Sequence, residues 1–375
     1  MFELTREQEM LRAMVREFAD TELAPRALEL DRAGEFPYDV VKKLAEQSLI
    51  GVGSSKELGG AAAGHLASII VIEELARVYP SIAMFLDVDQ SSIHIVEHSG
   101  TEEQKKKYLP PTIRGEKIMC LAATEPSGGS ALADLGTEAV ADQSGYTING
   151  RKVFITNGGV ADYCVLLAKT GKRTNTLLVE KGTPGFIVSR RQDQMGLKSL
   201  NLSELAFNNC KVPKENLIGE EGRGLATALA TFAVARSSTA AIGLGIARGA
   251  FEIAVKYAKE RVLYGKPISN LQAIQLMLAD MDTEIEAGKW LIYYPCAVLD
   301  RGTSPREVNK YSARAKAIGA EVALGVTQKA IQILGAYGVS PEYHLARLLN
   351  DAMELFPALG TTQIMKVIQA AEILR

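Results

Sequence analysis

Apolar positions in the first part of the chain recur at helical spacing: Leu4, Met10, Leu11, Met14, Val15 and Phe18 fall on one stripe. Similar patterns predict helices over 40–48, 66–78 and 81–98, punctuated by Pro25, Pro37, Pro80 and the Pro110-Pro111 pair. From residue 120 to about 222 the pattern changes to short β-rich runs at 146–148, 153–155, 163–167, 176–179 and 186–188. The Asn149-Gly150 step between the first two predicts a hairpin turn, because both residues tolerate positive φ. Long Ala- and Leu-rich helices follow over 224–262, 270–300, 305–335, 341–354 and 361–374, joined at glycines and prolines. Helices, sheet and helices in that order predict an α+β chain. Its expected domains are an α-helical domain at 1–118, a small antiparallel β domain at 119–222 and an α-helical bundle at 223–375.

Composition narrows the partners. A chain of 375 residues suits two or three domains, and 47% hydrophobic with 23% charged residues is globular composition. A net charge of -2 supplies no field for nucleic acid. Cys120, Cys164, Cys210 and Cys296 form no CxxC pair, which speaks against a disulfide framework or zinc site and for a reducing compartment. The N-terminal segment has no apolar run suited to a signal peptide. The apolar stretch 224–257 is interrupted by Arg236 and Arg248, so it reads as a buried bundle helix, not a membrane span, and a cytoplasmic location is expected.

No metalloprotease, P-loop or nucleophile-elbow motif occurs, and no metal site is expected. His94 and His98 stand four apart on one helix face and read as a surface pair lacking a third ligand. Gly243-Leu244-Gly245 and Gly222-Arg223-Gly224 have no preceding strand, which disfavours a dinucleotide fold. Residues 120–130, CLAATEPSGGS, place small residues, hydroxyls and free amides at a strand exit, suited to a flat heteroaromatic ring or a phosphate. Residues 152–157, KVFITN, add an aromatic face beside a hydroxyl.

Together these two segments resemble the acyl-CoA dehydrogenase family. Further matching stretches, in family order, are Met195-Gly196-Leu197-Lys198, residues 204–207, Val212-Pro213, Asn216-Leu217-Ile218-Gly219, residues 261–265 with Gln272, Leu278-Ala279-Asp280-Met281, Gln332-Ile333-Leu334-Gly335 with Gly338, and Gly360-Thr361 with Gln363-Ile364. The resemblance implies a middle β-barrel, a C-terminal four-helix bundle and FAD as cofactor. It implies that Leu121, Ala123, Thr124, Phe154 and Thr156 line the isoalloxazine and ribityl chain, with Thr361 and Gln363 reaching FAD from the last helix. Arg261, Tyr264, Gln272, Gln332 and Ala336 would contact the FAD of a neighbouring subunit in a homo-oligomer, usually a tetramer. Ser130 and Arg236 match positions that hold coenzyme A, and forked charge-assisted hydrogen bonds suit an arginine to phosphate. The sequence departs from the family at Ala131, Asn350 and Ala336.

The larger departure is chemical. Family members remove the α-proton of a thioester with a glutamate placed just before the closing Gly-Thr, or, in a smaller group, before the arginine matching Arg236. Here those positions hold Leu359 and Ala235, and neither accepts a proton. The chain is then a non-catalytic relative that binds acyl-CoA, a flavin oxidase or monooxygenase on the same fold, or an enzyme whose base has moved, a conventional α,β-dehydrogenase included. Met84, Asp87, Val88 and Ser91 share one helix face, which the resemblance places along the acyl pocket with Leu359 nearby. Asp87 and Asp89 lie ~200° apart on the helix, so only one points inward, and Asp87 is the candidate base. This pattern is similar to that of the cyclohexene-carboxyl-CoA dehydrogenases. It implies removal of a γ-proton from an unsaturated alicyclic thioester in a 1,4-elimination, with an electron-transfer flavoprotein as acceptor.

Overall fold

The computed structural model describes residues 3–374. Six helices come first: α1 (Arg6–Phe18), α2 (Ala27–Ala33), α3 (Tyr38–Glu46), α4 (Gly64–Val78), α5 (Pro80–Ser99) and α6 (Glu102–Ile113). Their starts are written locally. Thr5 with Gln8 and Thr101 with Gln104 form reciprocal capping boxes, and Pro80 opens α5 where its missing N–H costs nothing. Pro110 and Pro111, read above as punctuation, lie inside α6 near its end. Their carbonyls still accept from Arg114 and Glu116, so the chain leaves the helix only after they have been accommodated.

Eight strands follow: β1 (Met119–Ala122), β2 (Glu138–Ala141), β3 (Gly145–Thr156), β4 (Tyr163–Thr170), β5 (Arg173–Glu180), β6 (Phe186–Arg191), β7 (Leu202–Pro213) and β8 (Leu217–Ile218). They form one sheet in the order β6-β7-β3-β2-β4-β5-β8, with β1 also paired to β4. Two expectations need correction. The ladder has ends at β6 and β8 and is not a closed barrel among the described residues; β6 is exposed and carries Arg190 and Arg191, charges suited to an edge. It is also not wholly antiparallel, because β1 and β2 both run parallel to β4.

Asn149-Gly150 makes no hairpin turn. β3 runs straight through it, and β7 supplies an extra residue opposite, with Asn209 at φ 48° and its amide bonded to the Asn149 side chain at 2.8 Å. Gly150 is required by close approach, since a Cβ there would lie 2.6 Å from Thr137 Cα. A second bulge sets Val153 and Phe154 against the single residue Glu204 and leaves Phe154 at φ 55°.

The rest is helical: α7 (Gly224–Glu260), α8 (Gln272–Leu299), α9 (Pro305–Leu334), α10 (Leu345–Glu354) and α11 (Thr362–Ile373), with a two-stranded ribbon of β9 (Val262–Leu263) and β10 (Lys266–Pro267) after α7. The most apolar 18-residue window of α7 is 78% buried against protein, as a core helix requires. Gly243 meets Gly319 of α9 and Gly245 meets Glu73 of α4, each so closely that a Cβ would sit under 2.5 Å from a backbone oxygen. The glycine pair of α7 is thus a packing device for two neighbouring helices.

Candidate active site

Asp87 stands in the middle of α5, where only 3% of its surface is exposed. Helix α7 supplies its partners. The Ser238 hydroxyl donates to one carboxylate oxygen and Thr239 Oγ1 donates to the other at 2.7 Å. Burial pushes the Asp87 carboxyl up to about 6, against the pull of these two hydroxyls. Each hydroxyl also lies near the Ala235 carbonyl, at 2.7 and 3.3 Å. A hydroxyl carries one proton, so it can turn to the carboxylate when Asp87 is ionised and to the carbonyl when Asp87 is protonated. That is the behaviour expected around a group that gains and loses a proton in place.

Asp87 opens onto a cavity of about 330 Å³. Ser91 and Ala235 line the same cavity, so one of the two vacant glutamate positions faces the same space as the aspartate. Met84 and Val88 do not; both pack into the hydrophobic core. The lining follows Asp87, Gln90, Ser91 and His94 toward the C-terminal end of α5, not back toward Met84. Asp89 faces away, with Oδ1 accepting the Met119 amide of β1 at 2.7 Å and burial pushing its carboxyl up to about 8. His94 and His98 are no isolated surface pair either. With His65 of α4 they line this cavity, the His94 and His98 rings tilted by 34° at 3.9 Å centroid separation and His65 edge-on to His94 at 5.8 Å.

The second vacant position, Leu359, adopts φ 49° just before Gly360 and packs with Leu121, Ala123 and Phe232 in a small apolar cluster. The strand exit beside it is tightly held. Val153 donates to the Thr124 carbonyl at 3.0 Å, setting residues 121–124 next to 153–156. Buried Lys152 donates to Glu125 at 2.8 Å and to the Ala123 carbonyl at 3.0 Å. Burial favours a neutral Glu125, but Lys152 and the Gly136 and Thr137 amides outweigh it and hold the carboxyl down at about 2. Leu121, Thr124 and Thr156 are half-exposed here and Phe154 is 59% exposed, its ring turned outward by the bulge. The structure thus brings Leu121, Ala123, Thr124, Phe154 and Thr156 to one place.

Thr361 caps α11 by accepting from the Ile364 amide at 3.2 Å, and Gln363 is exposed. Arg261, Tyr264, Gln272, Gln332 and Ala336 are all exposed, and Arg261 lies 5.9 Å from the Tyr337 ring. Ser130 is exposed on the loop after β1, whereas Arg236 is buried in the bundle. The Arg236 guanidinium donates to Asn309 at 2.5 Å, its Nε has no partner among the described residues, and burial pulls it down to about 10. Ser238, Thr239, Glu125 and the three histidines were absent from the sequence-derived site. Ser237-Ser238-Thr239, the one polar run in the apolar stretch 224–257 apart from its neighbour Arg236, was the available signal.

Known proteins resemble the chain over its full length. Sequence models of the acyl-CoA dehydrogenase N-terminal, middle and C-terminal domains match residues 5–116, 120–210 and 222–374. A short-chain specific acyl-CoA dehydrogenase of Clostridium acetobutylicum is 40% identical over 380 residues, with all of both chains covered. A cyclohex-1-ene-1-carbonyl-CoA dehydrogenase of Geobacter metallireducens is 39% identical over 381 residues, again with both chains fully covered. The CarC subunit of a caffeyl-CoA reductase-Etf complex of Acetobacterium woodii is 35% identical, covering 98% of each chain. The butyryl-CoA dehydrogenase structure from Megasphaera elsdenii superposes with a TM-score of 0.97 at 35% identity, covering 100% of both chains. With three domain matches in order, the chain belongs to the acyl-CoA dehydrogenase family, whose members are FAD-dependent oxidoreductases acting on CH–CH bonds of acyl-CoA thioesters.

Proposed function

We propose that this enzyme oxidises an alicyclic, α,β-unsaturated acyl-CoA of the cyclohex-1-ene-1-carboxyl type, with Asp87 as the base. The carrying observation is a buried carboxylate, held by two hydroxyls, that opens into the same cavity as Ala235. A γ C–H of such a thioester is acidic because the double bond relays charge to the carbonyl. Asp87 takes that proton, a hydride equivalent leaves from elsewhere on the conjugated system, and the product is a conjugated diene. Loss of H⁺ and H⁻ together accounts for the two electrons removed. The full-length likeness to a cyclohex-1-ene-1-carbonyl-CoA dehydrogenase supports the assignment.

The residues fit FAD: an exposed aromatic ring at Phe154 stands beside half-exposed Thr124 and Thr156 on a strand exit locked by Lys152 and Glu125. Those residues, with Leu121 and Ala123, would hold the cofactor, which supplies the hydride acceptor when bound. Ser130 and Arg236 remain assigned to coenzyme A. Arg261, Tyr264, Gln272, Gln332 and Ala336 are assigned to a neighbouring subunit's FAD in a tetramer. An electron-transfer flavoprotein is the assigned electron acceptor, consistent with the Etf complex of the Acetobacterium relative.

The test is anaerobic bleaching of the flavin by cyclohex-1-ene-1-carboxyl-CoA. Asp87→Asn should slow bleaching by roughly 10²–10⁴-fold, the usual contribution of a positioned base, while thioester binding persists. Near-normal bleaching in Asp87→Asn removes Asp87 from the mechanism.

A further inference from the structure

The cavity beside Asp87, about 330 Å³, runs along α5 well past the aspartate as far as His94 and His98. That far end is polar. Asp87, Gln90, Ser91 and His94 stand at i, i+3, i+4 and i+7 on α5, and His65 of α4 closes on the same space. At 1.5 Å per residue, His94 lies about 10 Å along the helix from Asp87.

We propose that the acyl ring carries a neutral hydrogen-bonding substituent, a hydroxyl or oxo group, on the side remote from the thioester, and that His65 and His94 receive it. This deepens the alicyclic reading above and rests on it. Among the described residues no protein group hydrogen-bonds to the ring nitrogens of His65 or His94, whereas His98 is tied through Nδ1 to the His94 carbonyl at 3.0 Å. Burial first, then the neighbouring histidines, pushes His94 down to about 3, and burial lowers His65 as well, so both are neutral. A neutral imidazole offers one donor and one acceptor, the complement of a hydroxyl.

The lining also says what the substituent is not. It contains no lysine or arginine, and it contains two carboxylates, Asp87 and Glu97, the latter fixed by the Ser55 amide at 2.9 Å. An anionic tail would meet repulsion and no counter-charge. An alkyl tail would strip water from the imidazoles and return no hydrogen bond.

The test separates this proposal from the base assignment by using ring thioesters that cannot lose a γ-hydrogen. Dissociation constants of 3- and 4-hydroxybenzoyl-CoA, 4-methylbenzoyl-CoA and 4-carboxybenzoyl-CoA are read on the FAD-loaded enzyme by calorimetry. The tighter hydroxyl compound should bind at least about tenfold better than the methyl one, the factor that corresponds to about 1.4 kcal/mol. His94→Leu and His65→Leu, each shown folded by retained FAD, should cut that preference to less than about threefold. A wild-type enzyme that prefers the methyl or the carboxylate compound, or a hydroxyl preference that survives in both variants, overturns the proposal. Failure of cyclohex-1-ene-1-carboxyl-CoA to bleach the flavin counts against the γ-proton reading alone, because the binding order is measured without turnover.

Discussion

A base buried from water must be ionised before it can act, and for the proposed base Asp87 the surroundings set when that happens. Its carboxyl is pushed up to about 6 by burial. Below that pH it already carries a proton and cannot take another. The rate of flavin reduction should therefore rise with pH through an inflection near 6 and level off above it. Thr239→Val removes a donor that favours the ionised form. A hydrogen bond to a charged group contributes about 1.5 kcal/mol, so the inflection should move up by about one pH unit. Stopped-flow bleaching across pH 5 to 9 reads this, and an unmoved limb would show that another group titrates. Helical geometry alone separated Asp87 from Asp89, because their angular offset survives any detail of packing. The partners of Asp87 were not legible: Ser238 and Thr239 are 151 and 152 residues away, and only the docking of α5 on α7 brings them together. The histidine cluster was hidden for the same reason, since His65 approaches from a different helix.

At the scale of elements, α4 and α7 pack backbone to backbone at Gly245 and Gly249, and charges close the rim of that contact. Glu74, fully buried, faces Arg248 at 2.6 Å, Arg77 at 3.3 Å, and Arg12 and Arg16 at 3.8 Å, joining α1, α4 and α7. Glu74→Ala would leave these cations sharing Glu73, Asp20 and Glu252, and removing one member of a buried ion cluster costs about 3 kcal/mol or more. The exposed pair Lys107 and Glu180 is the control, since Lys107→Ala should cost at most about 1 kcal/mol. Urea midpoints of the FAD-loaded variants compare the two, and equal losses would refute a structural role for the cluster. Elements were legible where periodicity was long, as in α7, α8 and α9. They were misread where a local signal had a second use. Asn149-Gly150 suits a turn, but here the glycine yields to Thr137 in a continuous strand. The Pro110-Pro111 pair can stop a helix, yet near a C-terminal end it sits within one.

At the scale of the whole molecule, the order of helices, sheet and helices was visible in the change of apolar period, whereas the strand order of the sheet, with its ends at β6 and β8, was not. Strand pairing depends on partners distant in sequence, and periodicity within a strand does not encode them. Exposed side chains raise the remaining question of what covers them. Tyr264 is 91% exposed at positive φ in the turn of the β9–β10 ribbon, flanked by Val262 at 54% and Leu263 at 41%. Such a ribbon contributes little to the fold of its own chain, and its apolar residues gain by burial against another surface. The proposed assembly gives that surface an identity, the FAD edge of a neighbouring subunit. Tyr264→Ala combined with Arg261→Ala should then weaken FAD retention at least about tenfold and lower the assembled mass on light scattering, while helical circular dichroism of the chain stays unchanged. Loss of FAD without loss of mass would place these residues on the cofactor alone. Unchanged FAD affinity together with unchanged mass would remove them from both roles, and the ribbon would then need another partner to account for its exposed aromatic turn.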